Sequence, residues 1–148
     1  MKTETIKKLL PYQIPFLFVE ELTYISENGA KGYHTFKNDD YFYQGHFKDN
    51  PITPGVILTE VMAQIGLVCL GIYLLKDAFS EIKKPQIALT SYDIDFFLPV
   101  KPEERVEVVS EKIYFRFNKL KCDVQLFNQK NDLVCKGTIS GMLKLMDD

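Results

Sequence analysis

Between Val56 and Leu75 the chain reads VILTEVMAQIGLVCLGIYLL, twenty almost wholly apolar residues broken by Glu60 and Gln64. No other segment constrains the fold as strongly. A run of that length can cross a bilayer. A carboxylate within a membrane span is costly, however, and the uninterrupted part, Ile65 to Leu75, is too short to span. The run therefore reads as a helix buried on all sides within a soluble protein. Glu60 and Gln64, four residues apart, share one helix face. Glu60 lies five residues past Gly55, about 7.5 Å along the axis from the expected helix start. Burying a carboxylate unpaired costs several kcal/mol, so this polar patch needs a reason.

The chain has 148 residues, which is one domain, 1–148, by size. Its 46% hydrophobic and 26% charged residues exclude wholesale disorder. A net charge of -2 excludes a general nucleic-acid binder, which is clearly basic. Cys69, Cys122 and Cys135 form no CxxC or Cys/His cluster, so neither a metal site nor a disulfide framework is expected. They read as small buried hydrophobes of a reducing compartment, hence a cytoplasmic location. The opening, MKTETIKKLLPYQIPF, lacks a long apolar stretch before Pro11 and Pro15, so no signal peptide is expected.

Residues 1–14 suggest a short polar helix or arm and then a turn. Phe16 to Ile25 is rich in strand formers and runs into Asn28-Gly29, a hairpin signal, with Lys31 to Phe36 as the return strand. Asp39 to Pro54 is loop-like. After the apolar helix, a second short helix is expected near Lys76 to Ile82, broken by Lys83-Lys84-Pro85. Four strand-like runs follow: Ile87 to Phe97, Arg105 to Phe117, Leu120 to Phe127 and Leu133 to Leu145. Period-two alternation places Ile113, Phe115 and Phe117 on one face. Leu120, Cys122, Val124 and Leu126 form another such row, as do Leu133, Cys135, Gly137 and Ile139. The expected architecture is α+β, a curved antiparallel sheet wrapped around one long central buried helix. The outer face of that helix still needs cover, which favours a dimer.

The densest polar segment is YFYQGHFKDNPITPGVILTEVMAQ, from Tyr41 to Gln64. Gly45-His46-Phe47, Asn50-Pro51, Pro54-Gly55-Val56, Glu60 and Ala63-Gln64 stand in one order, with fourteen residues from His46 to Glu60. This block resembles the FabZ/FabA-like 3-hydroxyacyl-(acyl-carrier-protein) dehydratases of the hotdog superfamily. Leu10-Pro11, Pro15-Phe16-Leu17 and Phe97-Leu98-Pro99-Val100-Lys101-Pro102 resemble flanking segments of that family, so the likeness covers nearly the whole chain.

The resemblance implies dehydration of a 3-hydroxyacyl-carrier protein to the trans-2-enoyl product, in fatty acid or related polyketide or polyene synthesis. Neutral His46 suits the base at C2 because its ordinary pKa lies near working pH. A carboxyl in apolar surroundings stays protonated and can give a proton to departing hydroxide, the role the family assigns to the residue at Glu60. Free amides at the helix start, Gly55 and Val56, suit the thioester oxygen. Gly55 leaves room for close approach. By resemblance, Gln64 orients Glu60 or a water, and His and acid come from different subunits of a homodimer, or of a hexamer built as a trimer of dimers. The implied partner is an acyl-carrier protein. No metal or redox cofactor is implied, since the phosphopantetheine arm arrives with the substrate.

Other readings sit beside this one. His46 is otherwise a loop histidine bonded to backbone, and Glu60 a half-buried carboxylate with a local partner. Tyr41, Phe42, Tyr43 and Phe47 fit the lining of an acyl tunnel or plain core, and His34 reads as structural or exposed. Lys112, Arg116, Lys119 and Lys121 form a solvated strand face first, and a carrier-docking surface second. A hotdog acyl thioesterase and a non-catalytic acyl-binding or partner subunit are the competing functions. The chain departs from the family at Tyr12-Gln13 (usually His-Arg), Lys48-Asp49 (usually Pro-Gly) and Glu103 (commonly Gly). None of these touches the acid or the base, and together they admit a specialised pathway.

Overall fold

The computed structural model describes residues 1–78 and 83–147. The described residues include two longer helices, α1, Thr3–Leu9, and α2, Gly55–Leu74. The second is the apolar run, and it is mostly buried. Pro54 sets its start, with the Pro54 carbonyl accepting from the Ile57 and Leu58 amides. The helix is α-helical over Gly55–Met62, widens into a π turn over Ala63–Val68, and closes again over Cys69–Leu74. Such wide turns recur at functional sites.

Six strands form one antiparallel sheet: β1 (Glu21–Ser26), β2 (Gly29–Thr35), β3 (Lys83–Phe96), β4 (Arg105–Arg116), β5 (Lys119–Phe127) and β6 (Leu133–Asp147). Their spatial order is β1-β2-β4-β5-β6-β3, so β1 and β3 are the edges. The inner face presents Val106, Val108, Leu120, Cys122, Val124, Leu126, Ile139 and Leu143, all buried in one core with Ile65, Leu67 and Leu70 of α2. Each large apolar side chain so buried contributes roughly 1.5–3 kcal/mol relative to exposure. A buried polar contact pins helix to sheet. The Ser110 hydroxyl donates to the Gly66 carbonyl in the π turn (2.8 Å) and accepts from the Ala30 amide (3.2 Å).

The sheet differs from expectation in five places. Phe16 to Glu20 is not strand, and β1 begins at Glu21. The reason is that the Phe16 carbonyl and Phe18 amide bond to the Gln64 side chain and not to a neighbouring strand. The β1–β2 turn is Glu27–Asn28, because Ser26 pairs with Gly29. Gly29 is needed for another reason: a Cβ there would lie 2.1 Å from the Ser110 carbonyl oxygen of β4. Lys83-Lys84-Pro85 does not precede β3 but opens it, with Pro85 opposite Leu145. An edge strand tolerates the missing amide. In β4 a bulge between Lys112 and Tyr114 leaves Ile113 exposed, and Phe117 sits in the hairpin turn at φ 53°, 92% exposed. Of that row only Phe115 packs against the core. Val134, which strict alternation with Leu133 and Cys135 would turn outward, is buried. The second short helix is a 3-10 turn over Lys76–Ala78, and its expected continuation through 79–82 lies outside the described residues.

Candidate active site

The site begins with the second turn of α2. Glu60 is half-buried there, and its carboxylate Oε2 accepts from Gln64 Nε2 at 2.8 Å. Gln64 is fully buried. Its Nε2 also donates to the Phe16 carbonyl (3.0 Å), while its Oε1 accepts from the Phe18 amide (2.8 Å). The amide thus imitates a strand partner for the segment before β1, and that commitment fixes which end faces Glu60. Burial pushes the Glu60 pKa up from its ordinary 4.5, and the bond from Gln64 opposes the shift. A carboxyl raised in this way is suited to hold a proton. Tyr12 lies near enough that its phenol pKa is raised, by burial first and by Glu60 and Cys69 after it.

The start of the helix offers two free donors. The Gly55 and Val56 amides find no acceptor among the described residues. Val56 is 68% exposed. The space over Gly55 is taken by the ring of Phe96 at the end of β3, which a Cβ would approach to 3.2 Å. Phe96 was not singled out from the sequence. Nothing local marks it, because it reaches Gly55 through the sheet.

His46 belongs to the loop that leads into α2. Its Nδ1 lies 2.9 Å from the Ile52 carbonyl. A carbonyl only accepts, so Nδ1 carries the hydrogen and the neutral ring leaves Nε2 as its basic nitrogen. The Ile52 amide donates back to the His46 carbonyl (2.8 Å), and Phe47 and Asn50 exchange amide bonds, so the loop is closed on itself. The Phe47 ring stacks on His46 at 4.0 Å and is itself exposed. The peptide between them is cis. Tyr43 is buried, and its hydroxyl shares a 2.6 Å hydrogen bond with Thr53, which is buried too.

Glu60 and Gln64 are joined directly, one turn from Gly55 and Val56. His46 and Phe47 are joined to each other. No hydrogen bond or ion pair links His46 to Glu60 within the described chain. His34 sits edge-on between Phe18 and Phe36 with its Nδ1 buried and unpartnered among the described residues. Thr53 and the Phe16–Phe18 contact escaped sequence reasoning. A threonine in a loop carries no signal, and Phe18 is 46 residues from Gln64.

The family model described as "FabA-like domain" matches residues 10–137. Among curated relatives, the 3-hydroxyacyl-[acyl-carrier-protein] dehydratase FabZ of Clostridium botulinum is 41% identical over 66 residues, 44% of this chain and 46% of that protein. The enzyme of the same name from Bacillus subtilis is 38% identical over 71 residues, 47% of this chain and 50% of that protein. The chain spans about half the length of the curated relatives it matches. Among solved structures, the dehydratase heterocomplex ApeI:P from Xenorhabdus doucetiae superposes with TM-score 0.77 at 12% identity, over 94% of this chain and 90% of that one. A thioesterase from Haemophilus influenzae superposes with TM-score 0.69 at 13% identity, over 97% and 91%. At such identities the likeness is one of fold. The sheet wrapped on a central helix is the hotdog fold.

Proposed function

The chain belongs to the FabA-like domain family, and on that premise we propose that it dehydrates 3-hydroxyacyl thioesters on an acyl-carrier protein to trans-2-enoyl thioesters. The observation that carries the reading is the Glu60 carboxyl, half-buried, raised in pKa and aimed by an amide that cannot turn. A thioesterase carboxylate that activates water works ionised. A lyase acid must keep its proton.

The Gly55 and Val56 amides receive the thioester oxygen as charge builds on it. His46 Nε2 removes a proton from C2, and the freed electron pair becomes the C2–C3 double bond. The C3–O bond breaks, and the departing hydroxide takes the Glu60 proton and leaves as water. The imidazolium proton then returns to the Glu60 carboxylate through solvent, which restores the starting state. His46 and Glu60 meet across a homodimer, His46 of one subunit facing Glu60 of the next. In that assembly the two groups need no link within one chain. Carrier protein delivers the acyl group on its own pantetheine arm.

The test supplies a 3-hydroxyacyl-carrier protein and follows the enoyl product by mass. His46→Ala and Glu60→Gln should each lower turnover by ~10²–10⁴ with the fold retained. Full turnover in both variants refutes the assignment. Release of free carrier thiol with no enoyl product selects the thioesterase.

A further inference from the structure

The loop that holds His46 is braced by a polar pair that an apolar core does not require. Tyr43 ends the hydrophobic half of the 3-10 turn Tyr41–Gln44, three residues before His46. Thr53 follows Ile52, whose carbonyl holds His46 Nδ1. The Tyr43 and Thr53 hydroxyls meet at 2.6 Å, with 7% and 3% of each residue exposed. The Thr53 amide donates in turn to the Val100 carbonyl (2.8 Å), which anchors this end of the loop to the β3–β4 connection. The hydroxyl bond therefore crosses the neck of the loop and sets where Ile52 stands relative to His46.

We propose that the Tyr43–Thr53 hydroxyl pair is a latch that positions His46, fixing its Nδ1–H tautomer and the aim of Nε2. The proposal rests on His46 being the base. Two buried hydroxyls bonded to each other are worth little net stability over two apolar groups of the same shape. What the pair adds is direction. A 2.6 Å bond holds the loop neck at one separation, and a buried polar contact specifies geometry where apolar contacts slide. Burial pushes the Tyr43 phenol up to about 12, with the bond to Thr53 opposing, so the latch keeps its proton throughout the working range. Both residues act through His46 and neither needs to touch substrate.

A double-mutant cycle separates this role from a merely structural one. Tyr43→Phe and Thr53→Val each orphan a buried hydroxyl and should both lower the unfolding temperature. The double variant orphans nothing and should recover most of that loss. If the pair is a latch, the double variant stays folded yet keeps a kcat lowered by about 10–100-fold with KM nearly unchanged. Thr53→Ser, which retains the hydroxyl, should restore kcat. The chain has only two histidines, so long-range nitrogen–proton spectra can report the His46 ring directly. The wild-type ring should show one tautomer, protonated at Nδ1, and the double variant a mixture. A double variant with wild-type kcat and a single Nδ1–H tautomer overturns the latch. If the wild type does not turn over the hydroxyacyl substrate, the dehydratase reading fails separately. The ring spectra still decide, since one unchanged tautomer in both proteins sinks the latch and a mixture in the double variant supports it.

Discussion

At the residue scale, Gln64 determines what Glu60 can do. Its amide is bonded to a backbone carbonyl, a backbone amide and a carboxylate at once. Gln64→Leu should therefore do two things. It orphans the buried Phe18 amide, at a cost of about 1–3 kcal/mol read by urea unfolding. It also removes the hydrogen bond that favours ionised Glu60, so the Glu60 pKa should rise further and any rate limb that reports it should move to higher pH. A limb that moves lower contradicts this account. Glu60 itself has a pKa above its unfolded value. Its contribution to stability is therefore complete below pH about 4.5 and is lost as pH rises through the folded value. Glu60→Gln escapes that loss. Its unfolding temperature relative to wild type should improve between pH 4 and pH 8. A difference that does not change with pH rules the linkage out. The i, i+4 spacing made the Glu60–Gln64 pair legible in sequence. The clamp on Phe16 and Phe18 was not legible, because it joins positions that only the folded chain brings together.

At the scale of elements, the sequence was readable where one periodicity ran unbroken and misleading where the backbone changed phase. The inward row of β5 stands as expected, since Leu120, Cys122, Val124 and Leu126 are all buried. In β4 the bulge after Lys112 adds a residue and shifts the phase, which strands Ile113 at the surface. Alternation alone cannot announce an inserted residue. Asn28-Gly29 marked a real hairpin for a partly wrong reason. Its glycine serves the close approach of β4 and not the turn. The distinction can be measured. Gly29→Ala pushes a methyl into the Ser110 carbonyl and should destabilise by about 3 kcal/mol or more. Asn28→Ala, in the turn itself, should stay within about 0.5 kcal/mol. Equal effects of the two would place the strain in the turn after all.

At the scale of the whole molecule, the central helix was the most legible feature, and it raises the question of an assembly. One sheet edge is β3, a strand of 14 residues. It carries Leu89, Tyr92 and Phe96, each 40–54% exposed. Edges are ordinarily short or charged, because a long apolar one recruits another strand. Phe97, Leu98 and Val56 extend the exposed apolar surface toward the helix start. Under the proposed homodimer, a second copy covers that face about a twofold axis, with the loop of one chain against the helix of the other. Tyr92→Lys should then yield a folded monomer by sedimentation, and turnover should fall with the dimer. A sharper test uses two dead proteins. His46→Ala retains a working Glu60, and Glu60→Gln retains a working His46. Mixed one to one and allowed to exchange subunits, half of the dimers are hybrids, and each hybrid holds one site with both groups intact. Turnover should return to about a quarter of the wild-type value by the statistics of a twofold assembly. If the imidazole and the acid instead served the same active site from one chain, no mixture of these variants would contain a complete site, and the mixed sample would stay as inactive as its parts.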